Sequence, residues 1–205
     1  MRLLSTTRGA ASELALDLDS VKSDLRISTS HHDDILTCQY IPAAIAWAEG
    51  ETNRPMVSKT CIDIFNDFPR WSHDWRDNYT IYLLGKVTTV ASIIYVQNGS
   101  EVTLTGPDAS PAGTGFQQDK GDNFTRLMPP RGGTWPDVDS DVINPVKITY
   151  TAGWANAEEV PADIRRAMTA HVYGAMELDG LLTIRPGFDM DHASKLISAY
   201  RNPWK

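Results

Sequence analysis

The sequence lacks the features that mark several classes of protein. It has only two cysteines in 205 residues, Cys38 and Cys61, and a chain of this length does not need a disulfide to stabilise its core. No apolar run approaches the ~18 residues of a membrane-spanning helix, and the first 16 residues contain none longer than three. We therefore expect a folded protein that keeps both thiols, has no signal peptide or membrane anchor, and is made in the cytoplasm.

Charge of one sign is not concentrated in any part of the chain. Asp and Glu number 26 against 19 Lys and Arg, for a net charge of −7. Residues 1–56, 57–153 and 154–205 carry −3, −3 and −1 of this charge. The pattern excludes a basic nucleic-acid arm and an acidic tail, and it opposes a general phosphate-binding surface.

The sequence also lacks the motifs that commonly carry catalysis. A nucleophile elbow GxSxG, a phosphate loop GxxxxGK[ST], a zinc motif HExxH and paired CxxC motifs are all absent. The run from His31 to Asp34 is the densest cluster of metal-ligating residue types. Because consecutive helical residues point in different directions, at most two of these four side chains can share an ion. Helix capping and solvation are the simpler interpretation.

Two other histidines are candidates for catalysis, and each has a plainer interpretation. His73 and Asp74 lie between two tryptophans, in a segment typical of a loop that covers a sheet edge. His171 falls on the apolar face of a predicted helix, where a hydrogen-bonded core histidine is more common than a base. A hydrolase would need either histidine beside a carboxylate and a nucleophile. We therefore predict no catalytic, metal-binding or cofactor-binding residues and no enzymatic activity.

Helical periodicity begins near the N-terminus. Asp19 or Ser20 is placed to cap a short helix, and a longer helix is predicted from Ser30 to Asn53. Pro42 lies inside the longer helix, where it removes one backbone hydrogen bond and is expected to produce a kink.

Between residues 57 and 151 the pattern changes to that of β-strands. Strands are predicted at Cys61–Phe65, Thr80–Leu84, Val90–Gln97, Phe124–Met128 and Val146–Thr151. Asn98-Gly99 predicts a type I′ turn, which fixes the register of a hairpin. Residues 105–121 are rich in Gly, Pro, Ser and Asp and predict a long exposed loop.

Helical periodicity returns in the C-terminal part. One helix is predicted from Pro161 to Gly180, and a last helix is predicted to begin at Asp189. We therefore expect an α+β protein with a helical bundle core formed by the N- and C-terminal helices, residues 1–56 and 154–205. Residues 57–153 are expected to form a β-rich insertion lobe, and the whole is one composite domain.

Two sets of aromatic residues are candidates for binding. The first set consists of Trp71, Trp75 and Trp135. These side chains would line a ligand groove, for example for a glycan, if all three were exposed on one surface. The second set is the C-terminal segment, where Trp204 accompanies Arg201 and Lys205. Aromatic and basic anchors at a chain end are typical of a docking segment; folding back onto the chain's own helices is the alternative.

The order of these features resembles the head-tail connector, or adaptor, proteins of long-tailed bacteriophages and gene transfer agents. The segments that carry the resemblance span most of the chain: LDSVKSDLRI from Leu18, Asp33–Leu36, Thr52–Pro55, Phe68-Pro69, Asn98-Gly99, Trp135-Pro136, Ile148–Trp154 and Val160-Pro161 with Ile164, Arg165 and Ala167. Asn53 stands where the family usually has glycine. Pro42 and the 105–122 loop also depart from the family pattern.

The resemblance implies a structural virion protein without catalytic residues. It implies a homo-oligomeric ring, expected to be dodecameric, which binds beneath the portal protein and joins the DNA-filled head to a stopper or tail-completion protein. The ring would enclose the channel through which DNA leaves, without sequence-specific binding. Family members commonly grip the portal with the C-terminal segment, which here comprises Tyr200, Arg201, Asn202, Pro203, Trp204 and Lys205.

Overall fold

A computed structural model of the protein divides the chain into two compact units, each built from two chain segments. A strand-rich unit comprises residues 1–10 and 59–153, and a helical unit comprises residues 11–58 and 154–205. The structure describes residues 3–11, 13–70, 79–104, 106–107, 115–121, 124–181 and 190–201. Among these residues, no helix has both the length and the apolar character needed to cross a membrane.

The helical unit contains five α-helices and one π-helical turn among its described residues. They are α1 (Leu18–Leu25), α2 (Asp33–Ile35), the π-turn (Leu36–Tyr40), α3 (Ile41–Thr52), α4 (Ala162–Leu178) and α5 (Met190–Ser198). Helix α4 buries one face, on which Ile164, Met168 and Val172 are fully buried. These side chains share a core with Leu36 and Ile41 from the first helical segment. The apolar faces of the N-terminal and C-terminal helical segments therefore pack against each other.

Asp17, rather than Asp19 or Ser20, caps helix α1. Its carboxylate accepts a hydrogen bond from the backbone N–H of Ser20 at 2.8 Å and from the Ser20 hydroxyl at 2.6 Å. The Ser20 hydrogen bonds hold the pKa of the Asp17 carboxyl below its usual value. The predicted caps, Asp19 and Ser20, lie two and three residues after the observed one.

Replacing Asp17 with alanine is expected to lower the free energy of unfolding by about 1 kcal/mol, the usual cost of losing an N-terminal cap. Asp17→Asn keeps a side-chain acceptor and should lose much less. Because the pKa of Asp17 is lower in the folded state, its contribution is present above the ordinary aspartate pKa and is lost as the pH falls through the folded-state value. Chemical denaturation of both variants measures the difference; equal losses would contradict the capping role.

Pro42 does interrupt the long helix, and the interruption takes the form of the π-turn just before it. The backbone N–H of Ile41 donates to the carbonyl of Leu36, five residues earlier, and Pro42 occupies the first turn of α3. Proline is tolerated there because its missing N–H needs no partner. The helix ends as expected at Asn53, whose φ of 53° lies in the left-handed region.

The described residues of the strand-rich unit form two antiparallel sheets. Its strands are β1 (Leu3–Arg8), β2 (Lys59–Phe65), β3 (Ile81–Leu84), β4 (Val87–Gln97), β5 (Ser100–Thr103), β6 (Gln117–Lys120), β7 (Phe124–Met128) and β8 (Val146–Ala152). The order is β1-β2-β8-β4-β5 in the five-stranded sheet and β3-β7-β6 in the three-stranded sheet. Side chains from both sheets, among them Ile93, Ile148, Leu83 and Leu127, are buried in one shared core.

The hairpin predicted at Asn98-Gly99 is present, and a side chain from another segment of the chain stabilises its turn. Both residues have positive φ, 52° and 71°, as a type I′ turn requires, and Gln97 pairs with Ser100. The Asp139 carboxylate accepts hydrogen bonds from the backbone N–H groups of Asn98 at 2.9 Å and Gly99 at 2.7 Å. The segment that precedes β8 is thereby attached to the turn.

The expected helical bundle core is wrong. Helix and strand each account for about 30% of the described residues, and the strands form two sheets. The strand-rich unit is not an appendage of a helical core, because it buries its own set of apolar side chains. It also contains the N-terminal strand β1, which sequence analysis had assigned to the helical part. Strand β6 likewise lies within the segment expected to be a loop.

Candidate functional site

The C-terminal segment is described as far as Arg201. Helix α5 is continued by two turn-like hydrogen bonds, from the N–H of Tyr200 to the carbonyl of Ile197 at 3.0 Å and from the N–H of Arg201 to that of Ser198 at 3.2 Å. Tyr200 is half-buried and packs on the helical core. Residues 202–205, with Trp204 and Lys205, lie outside the described residues. The first part of the predicted docking segment is therefore anchored on the helical unit.

Arg201 is already paired within its own chain. Its guanidinium forms an ion pair with the carboxylate of Glu51, near the C-terminal end of α3. Both side chains are substantially exposed, at 47% and 34%, so the pair is worth at most about 1 kcal/mol. A carboxylate at the C-terminal end of a helix is unfavourable because of the helix dipole. Arg201 offsets that charge.

Tyr40, in the π-turn, contacts the C-terminal end of helix α4. The Tyr40 hydroxyl donates a hydrogen bond to the Asp179 carboxylate, and this bond raises the pKa of Tyr40 to about 12. Gly180 follows with a φ of 71°, which a residue with a side chain rarely adopts. The π-turn that precedes Pro42 thus also supplies the hydroxyl that binds the carboxylate of Asp179, the residue at the C-terminal end of α4.

His171 lies on α4 against Trp47 of α3. The two rings stack with centroids 4.6 Å apart and an interplanar angle of 15°. Nδ1 of His171 is buried and has no hydrogen-bond partner among the residues that the structure describes. Burial lowers the pKa of His171 below its ordinary value. The ring therefore packs on Trp47, and its buried Nδ1 is not oriented by a carboxylate of the described residues as that of a catalytic base would be. The plainer interpretation, a hydrogen-bonded core histidine, is wrong about a hydrogen bond at Nδ1.

His171 should make the protein less stable in mild acid. Its pKa is lower in the folded than in the unfolded state, so its contribution is complete above the ordinary histidine pKa of 6.5 and is lost as the pH falls through the folded-state value. We expect the free energy of unfolding to fall between about pH 7.5 and pH 5.5. His171→Phe keeps an aromatic ring on Trp47 without titrating, and its stability should fall less over this range. Identical pH dependence in the two proteins would contradict the assignment.

The run from His31 to Asp34, the densest set of metal-ligating residue types in the sequence, is not grouped around a possible ion in the structure. His31 and His32 contact each other edge to face at 4.8 Å, and the Asp33 carboxylate accepts a hydrogen bond from Lys22 Nζ at 2.6 Å. Across the described part of the chain, no three His, Cys, Asp or Glu side chains are grouped to hold an ion. His73 and Asp74 lie outside the described residues. Cys38 is exposed, Cys61 is buried, and both are thiols.

Trp135 is a core residue, although a groove of about 650 Å³ runs beside it. The indole is 5% exposed and stacks on Phe68 at 4.9 Å with an interplanar angle of 4°. Its Nε1 donates to the carbonyl oxygen of Tyr79 at 2.5 Å. Trp135 therefore has no exposed face on which a sugar ring could stack. Trp71 and Trp75, the other members of the predicted groove, lie outside the described residues.

Comparison with known proteins finds similarity in structure alone. No protein-family model and no curated protein matches the sequence. A chain in the neck of an empty gene transfer agent particle, computed with C6 symmetry, matches with a TM-score of 0.69 and 22% identity over 97% of this chain and 95% of that chain. A chain in the neck of the native particle, computed with C12 symmetry, matches with a TM-score of 0.63 and 21% identity, over 98% and 95%.

A chain in the virion of the native gene transfer agent gives a TM-score of 0.68 at 22% identity, again over 97% and 95% of the two chains. These matches cover residues of both units, so the similarity is not confined to one of them. The chain therefore has the fold of chains in gene transfer agent necks, which confirms, at the level of the fold, its resemblance to head-tail connector proteins.

Proposed function

We propose that this chain is a structural subunit of a virion neck, an adaptor that joins the DNA-filled head of a phage-like particle to its stopper or tail. The observation that carries the proposal is the match along 97% of this chain to a chain of a particle neck. A match confined to one unit would have left the second unit free for another activity. The proposed role is structural and needs no catalytic residue.

Ring formation is part of the proposal. Two of the matched structures were computed with sixfold and twelvefold symmetry, and cyclic symmetry arises when one surface of a subunit repeatedly binds a different surface of the next. We take twelve copies as the expected number. The ring would bind the portal protein on one side and the stopper or tail-completion protein on the other.

The distribution of charge supports a channel that does not retain DNA. Within the two units, the helical unit carries 15 acidic and 9 basic residues, and the strand-rich unit carries 11 and 10. The net charges are −6 and −1. Tight binding to DNA depends on arginine and lysine at the phosphates, and neither unit has the excess of basic residues that it would need. DNA is expected to pass through the ring without sequence-specific contacts.

The proposal is tested on DNA-filled heads that carry the portal but lack the neck. Purified protein is added, and the particles are imaged by electron cryomicroscopy. We expect a ring of density on the portal vertex, with twelvefold symmetry after focused averaging. Heads without a portal serve as the control and should carry no ring. Density elsewhere on the capsid, or none at all, would contradict the proposed function.

A further inference from the structure

The two sheets of the strand-rich unit each present one face to the shared core and an opposite face outward. In the five-stranded sheet, the two central outward rows run Ile62, Thr149, Ser92 and Ile64, Lys147, Ile94 across β2, β8 and β4. The residues that alternate with them, such as Ile148 and Ile93, are fully buried. Outward sheet faces in contact with water usually carry polar side chains, whereas three of these six positions are isoleucine and only Lys147 is charged.

The outward face of the three-stranded sheet is also poor in net charge. Tyr82 and Phe124 meet edge to face at 5.7 Å, and Met128, at the other end of β7, is 41% exposed. The two charges at its centre neutralise each other, because Arg126 Nε donates to the Asp119 carboxylate at 3.0 Å. Aromatic residues and methionine are enriched at protein interfaces, and unpaired charges are depleted there.

From these two faces we propose that neighbouring copies in the ring stack through their strand-rich units. The outward five-stranded face of one copy packs on the outward three-stranded face of the next. The inference rests on the proposed ring, and it names the contact that builds it. A cyclic ring requires two different surfaces on each subunit, and the two sheets provide them on opposite sides of one core.

Charge identifies a second copy as the occupant of these faces. Each copy carries a net charge of −7, so copies repel unless the surfaces that meet are nearly neutral. A foreign partner could carry a positive surface and bind an acidic face of this chain. A second copy is itself acidic, so it requires contact faces without net charge. The side chains of the five-stranded face are mostly β-branched or small hydroxyls, which lose little rotamer freedom when covered.

The area of the five-stranded face is adequate for part of such a contact. Five strands spaced about 4.8 Å apart, each about six residues long at roughly 3.3 Å per residue, cover about 480 Å². A stable interface covers about 800 Å² on each partner. The three-stranded face, with strands of four or five residues, covers only about 210 Å², so the stacked sheets supply about a quarter of the contact that each neighbour needs.

Cysteine cross-linking on assembled rings tests this contact. In a Cys38→Ser background, Thr149→Cys places a thiol on the five-stranded face and Phe124→Cys places one on the three-stranded face. A short bismaleimide should link the double variant into a ladder of covalent oligomers on a denaturing gel, while each single variant stays monomeric. The control pairs Phe124→Cys with Ser23→Cys, at an exposed position of α1, and should give no ladder.

The outcomes separate this inference from the proposed function. Rings seen on the portal, with no ladder from the Thr149→Cys, Phe124→Cys chain, would overturn the stacking and leave the neck role standing. Portal-bearing heads without rings would contradict the neck role and the stacking together. As a second variant, Thr149→Arg should reduce ring formation at least tenfold without lowering the melting temperature, and Ser23→Arg should not reduce it.

Discussion

Removal of Arg201 to Lys205 is expected to abolish attachment of the protein to portal-bearing heads while leaving its fold intact. Among the described residues, this segment is held by the exposed ion pair between Arg201 and Glu51 and by the hydrogen bond from the Arg201 N–H to the Ser198 carbonyl. Loss of such a pair costs at most about 1 kcal/mol, which lowers the melting temperature of a chain of this size by no more than about 4 °C. Co-sedimentation with heads measures attachment, and differential scanning calorimetry measures the melting temperature.

A matched variant separates the loss of the segment from the loss of the ion pair. Glu51→Gln removes the pair and keeps every residue of the C-terminal segment, so it should attach normally. Trp204→Ala keeps the charges and removes the large aromatic anchor, so it should attach poorly. Full attachment of the truncated chain would show that the portal contact lies elsewhere, although a ring could still form.

Trp135→Ala is expected to have the largest effect on stability, a loss of about 3–5 kcal/mol in the free energy of unfolding. The substitution removes a buried ring that stacks on Phe68 and leaves the Tyr79 carbonyl without its Nε1 donor. Trp135→Phe retains the stacking and loses the hydrogen bond, so it should lose roughly 1–2 kcal/mol.

Denaturant unfolding followed by circular dichroism compares these two variants with the native chain. A surface tryptophan used for ligand binding would behave differently, because its replacement would change ligand affinity and leave stability nearly unchanged. Native stability of the Trp135→Ala variant would therefore contradict the place of Trp135 in the core and would support the aromatic groove.

The elements with a strong local signal were predictable. Asn98-Gly99 defined its hairpin because only residues that tolerate positive φ fit a type I′ turn, and Asn53 ended its helix for a similar reason. Helix α4 was predictable from the spacing of its apolar residues alone. In each case a few neighbouring residues determine the backbone conformation, so the sequence carries the information locally.

Strand β1 was not predictable, because its partner lies more than 50 residues away. Its sequence, LLSTTR, has no apolar alternation. It is held in the sheet by pairing with β2, where Thr6 lies opposite Asp63 and hydrogen bonds to its buried carboxylate. Burial raises the pKa of the Asp63 carboxyl, an effect that the Thr6 and Tyr150 hydrogen bonds partly oppose. Such a contact exists only once the fold is known.

The candidate site was predictable in part. Aromatic and basic residues at the C-terminus indicated a docking segment, yet nothing local to Arg201 indicates that Glu51 is its partner. The outward sheet faces were also missed, because the strand pattern gives their alternation but not which strands lie side by side. Strands β2, β8 and β4 are neighbours in the sheet and distant in the chain.

The chain's path through its two units has a consequence for its synthesis. It passes between the units three times, near residues 10, 58 and 153. A ribosome releases α3 about 110 residues before α4, an interval of roughly 5–20 s at the usual rates of translation. The described strands of the strand-rich unit are all available once β8 has emerged. At that point Leu36 and Ile41 are not yet covered by α4. The helical unit is therefore the last to close, and until then its exposed apolar side chains are a natural target for the chaperones of the translating cell.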